Sequence, residues 1–267
     1  MREFSADYLT ETRRGMWSDR DALTALDLPG RSRILDVGAG TGELTRVLAE
    51  ESPAEVVAVD ADPRLLGHAD ADHRLAGDAT RLPVREDACD LVACQALLIN
   101  LPDPAAAVRE FARVSSELVA VVEPDNAAVS VDSTVAAESE LSARARELYV
   151  DGVGTDVALG ADAAALLEDA GLVAVSTTRY DHTRVTEPPY DDAALEAAAR
   201  KATGERLADQ RPELAAGGLG ADAYDDLRSA WREMGRDVVE QMQAGEYERR
   251  ETVPFYVTVG RVPADSA

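Results

Sequence analysis

Lysine is almost missing from this chain: Lys201 is the only one among 267 residues. Cations of any kind are short, with 27 Lys+Arg against 51 Asp+Glu and a net charge of −24. Nucleic-acid binding draws its affinity from cations that displace phosphate counterions, and anionic lipid attracts polybasic segments. The shortage argues against both partners. Cysteine is scarce too: Cys89 and Cys94 lie five apart around one predicted strand, and there is neither a CxxC nor a Cys/His cluster. That excludes a disulfide framework and gives no zinc site. No stretch of 18 apolar residues appears, so no transmembrane helix is expected. The polar opening MREFSADYLTETRR holds no apolar run suited to a signal peptide. Together these absences predict a cytoplasmic protein without membrane insertion, nucleic acid or metal.

What is present is apolar enough to fold. Hydrophobic residues make up 46% of the chain, too many for an acidic disordered segment, so the acidity belongs to the surface of a protein with a sizeable core. High acidity with almost no lysine is similar to the composition of proteins from salt-accumulating halophiles, where screening quiets self-repulsion.

From Arg33 to Val122 short apolar runs alternate with helical patterns. RILDV (33–37), EVVAVD (55–60), RLAGD (74–78), CDLVACQ (89–95) and ELVAVVEP (117–124) read as five strands. Leu44, Val47 and Leu48 have helical spacing between the first two, and Asp103-Pro104 reads as an N-cap and first helical residue. Apolar strands separated by helices predict a doubly wound, mostly parallel α/β sheet covered on both faces. Later, 131–150 and 159–171 read as helices, 172–182 as a sixth strand and 252–262 as a seventh. The segment 183–251 reads as mostly helical, with Tyr224, Leu227, Trp231, Met234, Val238 and Met242 forming one apolar face.

The motif richest in chemistry is Asp36-Val37-Gly38-Ala39-Gly40-Thr41-Gly42, at the end of the first strand. A glycine turn lets the backbone approach a ligand closely, and the helix N-terminus offers free N–H groups. A dinucleotide fingerprint requires GxGxxG, but its third glycine position holds Glu43 here. A carboxylate there would also repel a pyrophosphate. Both points disfavour NAD(P), which stays open as an alternative through an oxidoreductase on the same architecture.

The acidic residue followed by GxGxG resembles the first motif of class I S-adenosylmethionine-dependent methyltransferases. Three further segments are similar to that family's motifs in register: Asp60-Ala61 ending the second strand, Gly77-Asp78-Ala79-Thr80-Arg81-Leu82-Pro83, and Asp90-Leu91-Val92 with Gln95. The resemblance covers roughly 31–182, with 252–262 matching the last, antiparallel strand. It implies a seven-stranded Rossmann-like sheet and S-adenosyl-L-methionine as cofactor. It further implies that Gly38, Ala39, Gly40 and Gly42 line the cofactor's methionine part while Asp36 positions its ammonium end. Asp60 with Ala61 would take the ribose, Asp78 with Ala79 the adenine, and Gln95 would border the methyl. The nearest branch is the ubiquinone/menaquinone-biosynthesis type, whose substrates are mostly small molecules. That branch often carries histidine after the fourth strand, where this chain reads LLINLPDP (97–104), so no catalytic residue is assigned.

The expected organisation is an N-terminal helical cap (1–30), a cofactor-binding core (31–182), a helical insertion serving as lid or substrate cap (183–251), and a last strand with tail (252–267). The expected activity is direct methyl transfer to a small-molecule acceptor, against the alternatives of an NAD(P)-dependent oxidoreductase or a non-catalytic cofactor-binding protein. Glu187-Pro188-Pro189-Tyr190 follows the sixth strand and reads as a rigid linker rather than an amino-methyltransferase box. His68 and His73 read as solvated, and His182, ending the sixth strand, as a surface residue, with a place facing the pocket as the alternative. Tyr8, Trp17 and Tyr149 read as packing aromatics.

Overall fold

The computed structural model describes residues 5–264. In chain order it contains helix α1 (Ala6–Arg13), strand β1 (Arg33–Val37), α2 (Glu43–Glu51), β2 (Glu55–Asp60), α3 (Pro63–Leu66), β3 (His73–Ala76), β4 (Cys89–Gln95), α4 (Pro104–Val114) and β5 (Ser115–Pro124). It continues with β6 (Ser130–Ser133), α5 (Ala136–Gly152), α6 (Ala163–Asp169), β7 (Val173–Thr186), α7 (Asp192–Thr203), α8 (Glu205–Asp209), α9 (Arg211–Ala216), α10 (Ala221–Ala244) and β8 (Arg249–Arg261). Two compact units emerge. One holds 5–125, 159–180 and 255–264; the other holds 126–158 and 181–254. The segment 126–158 thus groups with the helical insertion rather than with the cofactor-type core.

The first unit is a sheet in the order β3-β2-β1-β4-β5-β8, with β7 paired to β8. Strands β1 to β5 are mutually parallel, and β8 runs antiparallel to β5 from Leu118↔Arg261 to Pro124↔Phe255. The strands are apolar on both faces: Ile34, Leu35 and Val37 of β1 and Leu91 to Cys94 of β4 are all buried, as a parallel sheet covered on both sides requires. Helices are set by local chemistry. The Asp103 side chain accepts from Ala106 N at 2.9 Å, Pro104 opens α4, and Ala107, Val108, Phe111 and Val114 turn one buried face inward. Because β1 pairs with β2 on one side and β4 on the other, the connections diverge there, the switch point at which open α/β sheets bind ligands beyond the carboxyl ends of the strands.

The second unit has its own core. Tyr224, Leu227, Trp231, Met234, Val238 and Met242 of α10 are buried together with Leu148, Ala198, Leu207, Leu214 and Tyr247. The apolar face anticipated from their spacing is therefore a packing face. Beside it the buried Glu138 accepts from Ser133 Oγ at 2.7 Å, Tyr247 OH at 2.9 Å and Arg249 Nε at 3.1 Å, and pairs with Lys201. Burial pushes this carboxyl up, but the Lys201 ammonium and the surrounding donors outweigh it and hold Glu138 below the ordinary carboxylate range. The sole lysine is thus spent on a buried ion pair. Tyr190, the last residue of the Pro-Pro linker, bonds the backbone of Tyr247 in both directions at 3.0 Å, a structural use of that tetrapeptide.

Three expectations need correction. Residues 130–133 form β6, an edge strand paired with β8, where a helix was expected from 131. Strand β7 runs on to Thr186 and β8 begins at Arg249, so both are longer than their apolar segments. His182 is buried, not surface-exposed, and lies inside the lengthened β7 rather than at its end. His68 and His73 are exposed as expected, with His73 Nε2 3.0 Å from Glu55.

Candidate functional site

The first unit holds the predicted site residues at or after the carboxyl ends of β1, β2, β3 and β4. Gly38, Gly40 and Gly42 all adopt positive φ, at +72°, +57° and +90°, which winds the loop from β1 into α2. Their missing side chains are used. A Cβ on Gly38 would stand 2.8 Å from Leu97 Cδ1, and one on Gly42 would stand 2.7 Å from the Cα of Ala69. Only glycine fits such conformations at such distances. Gly38 N and Ala39 N both donate to Val59 O, at 2.7 and 2.9 Å, so the loop is tied to the end of β2.

Asp60 closes that end. Its Oδ2 accepts from Gly40 N at 2.8 Å and its Oδ1 from Asp62 N at 2.8 Å. Each carboxylate oxygen has two lone pairs, so one on each oxygen is left to receive a further donor. The carboxylate is half-buried and next to the exposed Ala61. This donor-hungry group beside a glycine cradle fits a vicinal diol.

Asp36 is placed differently. It is 1% exposed and accepts from Thr45 Oγ1 of α2 at 2.5 Å, which pins the helix beneath the glycine loop. Burial pushes its carboxyl up to about 7, against the Thr45 bond, with the Asp60 and Glu43 charges adding to the rise. Asp78 lies in an exposed turn after β3, where its Oδ1 accepts from Thr80 N and Oγ1, both at 2.8 Å. Those bonds, the backbone one foremost, hold it below the usual carboxylate range, so it is ionised at neutral pH. Ala79 is buried behind it.

Gln95 ends β4 with its amide committed: Oε1 accepts from Trp17 Nε1 at 2.9 Å and Nε2 reaches Met16 Sδ at 3.0 Å. Trp17 in turn stacks on Tyr180 at 5.6 Å, and the Tyr180 hydroxyl donates to Met16 O. Trp17 is thus a buried packing aromatic, whereas Tyr8 is exposed. Among the described residues no group of His, Cys, Asp and Glu is arranged to hold a metal.

Glu123 was missed in the sequence. It is fully buried near the end of β5 and accepts from the N–H groups of Leu97, Leu98 and Ile99 at 3.1, 2.9 and 3.4 Å. Burial pushes its carboxyl up to about 7, against those three bonds. Its only sequence signal is an acid inside an otherwise apolar strand, VAVVEP.

Comparison with known proteins shows what this region is similar to. Residues 35–117 match the family model described as "Methyltransferase domain". Over that stretch the chain is similar to methyltransferases. A stretch of 98 residues is 41% identical to a demethylmenaquinone methyltransferase of Mycobacterium marinum, covering 36% of this chain and 42% of that protein. A demethylmenaquinone methyltransferase of Mycolicibacterium paratuberculosis is 40% identical over 94 residues, 34% of this chain and 40% of that one. The chain therefore spans about two fifths of the length of the curated relatives it matches. A candidate methyltransferase structure from Bacillus halodurans superposes with TM-score 0.52 at 18% identity, covering 92% of this chain and all of that one. The sheet thus has the Rossmann-like fold seen in that structure: mostly parallel, with antiparallel C-terminal strands, as the resemblance implied. No helix of the described residues is long and apolar enough to cross a membrane.

Proposed function

We propose that this protein is an S-adenosyl-L-methionine-dependent methyltransferase acting on a small-molecule acceptor by direct methyl transfer. The observation that carries the reading is Asp60, bonded through both oxygens to the glycine loop and the start of α3, with lone pairs left on each for ribose hydroxyls. Gly38, Ala39, Gly40 and Gly42 offer their backbone to the methionine part, Asp78 with Ala79 is available to adenine, and Asp36 stabilises the loop from beneath. The matched methyltransferase domain and the demethylmenaquinone methyltransferases similar to it support the same activity.

The cofactor supplies an already activated methyl on a sulfonium. The chain's own task is then to hold an acceptor lone pair in line and to exclude water, which can supply much of the rate. Apolar residues Leu97, Leu98, Ile99 and Leu101 after β4 suit that task, and they carry no general base. The acceptor that fits such a segment is one that is nucleophilic without help at working pH.

The reading extends to location: a cytoplasm with high salt, where the −24 charge is screened. The test is release of S-adenosylhomocysteine when the purified chain and S-adenosylmethionine meet a panel of reduced quinols, phenols, amines and thiols. Turnover on at least one class is expected. Absence of turnover on every class, with the cofactor bound, would leave a non-catalytic binding protein instead.

A further inference from the structure

The carboxylate of Glu123 has a setting that simple burial does not explain. A lone buried acid is costly unless it is paired or hydrogen-bonded, yet no cation among the described residues contacts this one; its partners are three consecutive backbone N–H groups and the Cys94 thiol at 3.7 Å. The backbone is bent to provide them. Ala96 has φ +47°, a left-handed conformation unusual for a residue with a Cβ, and Leu97 follows with φ −100° and ψ −50°. A left-handed residue next to a right-handed one turns successive N–H groups into an anion-binding concavity. Ala96 itself stays anchored, its N–H donating to Val122 O at 2.8 Å.

The consequence reaches the glycine loop. Leu97, held through its N–H by Glu123, puts its side chain where a Cβ of Gly38 would be, 2.8 Å away. Glu123 on β5, the turn after β4 and the loop after β1 are therefore linked in sequence. Strain of the kind seen at Ala96 persists only where its surroundings over-determine it, and it clusters at functional sites.

We propose that Glu123 is a positioning residue, whose carboxylate in the N–H concavity of Leu97, Leu98 and Ile99 fixes the turn after β4 against Gly38 and so sets the acceptor side of the site. This rests on the methyltransferase reading above. Glu123 touches neither cofactor nor acceptor; it acts through the turn. Glu123→Gln is the sharpest change. It keeps the shape but turns one acceptor oxygen into an amide that faces N–H donors.

The experiment compares wild type and E123Q at pH 8 by three readouts. Hydrogen exchange at the amides of Leu97, Leu98 and Ile99 should accelerate at least tenfold, with the amides of β1 unchanged. The Kd for S-adenosylhomocysteine should stay within threefold. On any acceptor that wild type methylates, kcat should fall at least tenfold while KM for S-adenosylmethionine stays within threefold. Unchanged exchange at the three amides, or kcat within twofold of wild type, overturns the proposal. If wild type itself fails to bind S-adenosylhomocysteine, the cofactor reading falls, and the exchange readout still judges whether Glu123 holds the turn. Should E123Q not fold, Ala96→Val weakens the same concavity from the backbone side, because a β-branched residue resists positive φ. The same exchange and kcat changes are then expected, and their absence counts equally against the proposal.

Discussion

Gly40 donates its backbone N–H to Asp60 Oδ2 at 2.8 Å, joining the middle of the glycine loop to the carboxyl end of the neighbouring strand. The bond makes one side chain serve both the loop's shape and the proposed ribose contact. Asp60→Ala is therefore expected to weaken S-adenosylhomocysteine binding by more than one hydrogen bond's worth. Bonds to charged groups contribute about 1.5–3 kcal/mol each, and about 1.4 kcal/mol is tenfold. A calorimetric titration should show at least tenfold weaker binding with a folded protein; affinity within twofold of wild type would remove Asp60 from the site.

Gly42→Ala tests the loop's conformation. At φ +90° and with Ala69 Cα 2.7 Å from the new methyl, the substitution combines backbone strain with a clash against main chain. Strain of this kind costs about 1–3 kcal/mol, and the fixed neighbour adds to it. The urea midpoint should fall accordingly, and an unchanged midpoint would mean that the loop relaxes freely.

Asp36 predicts a pH signature. Its folded-state pKa, raised by burial to about 7, lies above the ordinary 3.8, so between those values the folded state holds a proton that the unfolded chain has released. Its contribution to stability is full below about pH 4 and is lost as pH rises through 7. Asp36→Asn removes that loss. The difference in unfolding free energy, variant minus wild type, should climb by up to about 1.4 kcal/mol per pH unit across this window and flatten above it. A difference independent of pH would show that Asp36 is ionised throughout.

Lys201→Met leaves the buried carboxylate of Glu138 without its ammonium partner. Breaking a buried pair on one side typically costs about 3–5 kcal/mol, whereas replacing both partners by apolar groups is much milder. Lys201→Met should therefore destabilise the second unit strongly, and Lys201→Met with Glu138→Leu should recover part of the loss. Denaturant unfolding decides; a single variant within about 1 kcal/mol of wild type would mean that Arg249 and Tyr247 suffice for Glu138.

The acidic surface predicts a response to salt. With a net charge of −24, screening by molar KCl should raise the thermal midpoint by about 5 °C or more over dilute buffer. A midpoint that is flat or falls with KCl contradicts adaptation to high salt.

Much of the first unit was legible in the sequence because its signals are local. Apolar strand runs, the Asp103-Pro104 cap and the glycine turn each state their structure within a few residues. The stripe from Tyr224 to Met242 declared a helix by its period alone. What escaped depends on distant partners. SVDS (130–133) is short and polar, with no apolar alternation, and is a strand only because β8 offers it hydrogen bonds. The polar residues that extend β7 to Thr186 are hidden for the same reason. Glu123 looked like the end of a strand, since the three N–H groups that define its role lie 24 to 26 residues earlier in the chain. Gln95 was legible as a position but not in its partner, Trp17, 78 residues away.

The central claim is the cofactor, and a paired titration tests it most directly. Wild-type protein in molar KCl is titrated with S-adenosylhomocysteine by calorimetry and with NADH and NADPH by fluorescence. The account predicts saturable one-to-one binding of S-adenosylhomocysteine and none of either nicotinamide. Saturable nicotinamide binding without any response to S-adenosylhomocysteine would contradict it.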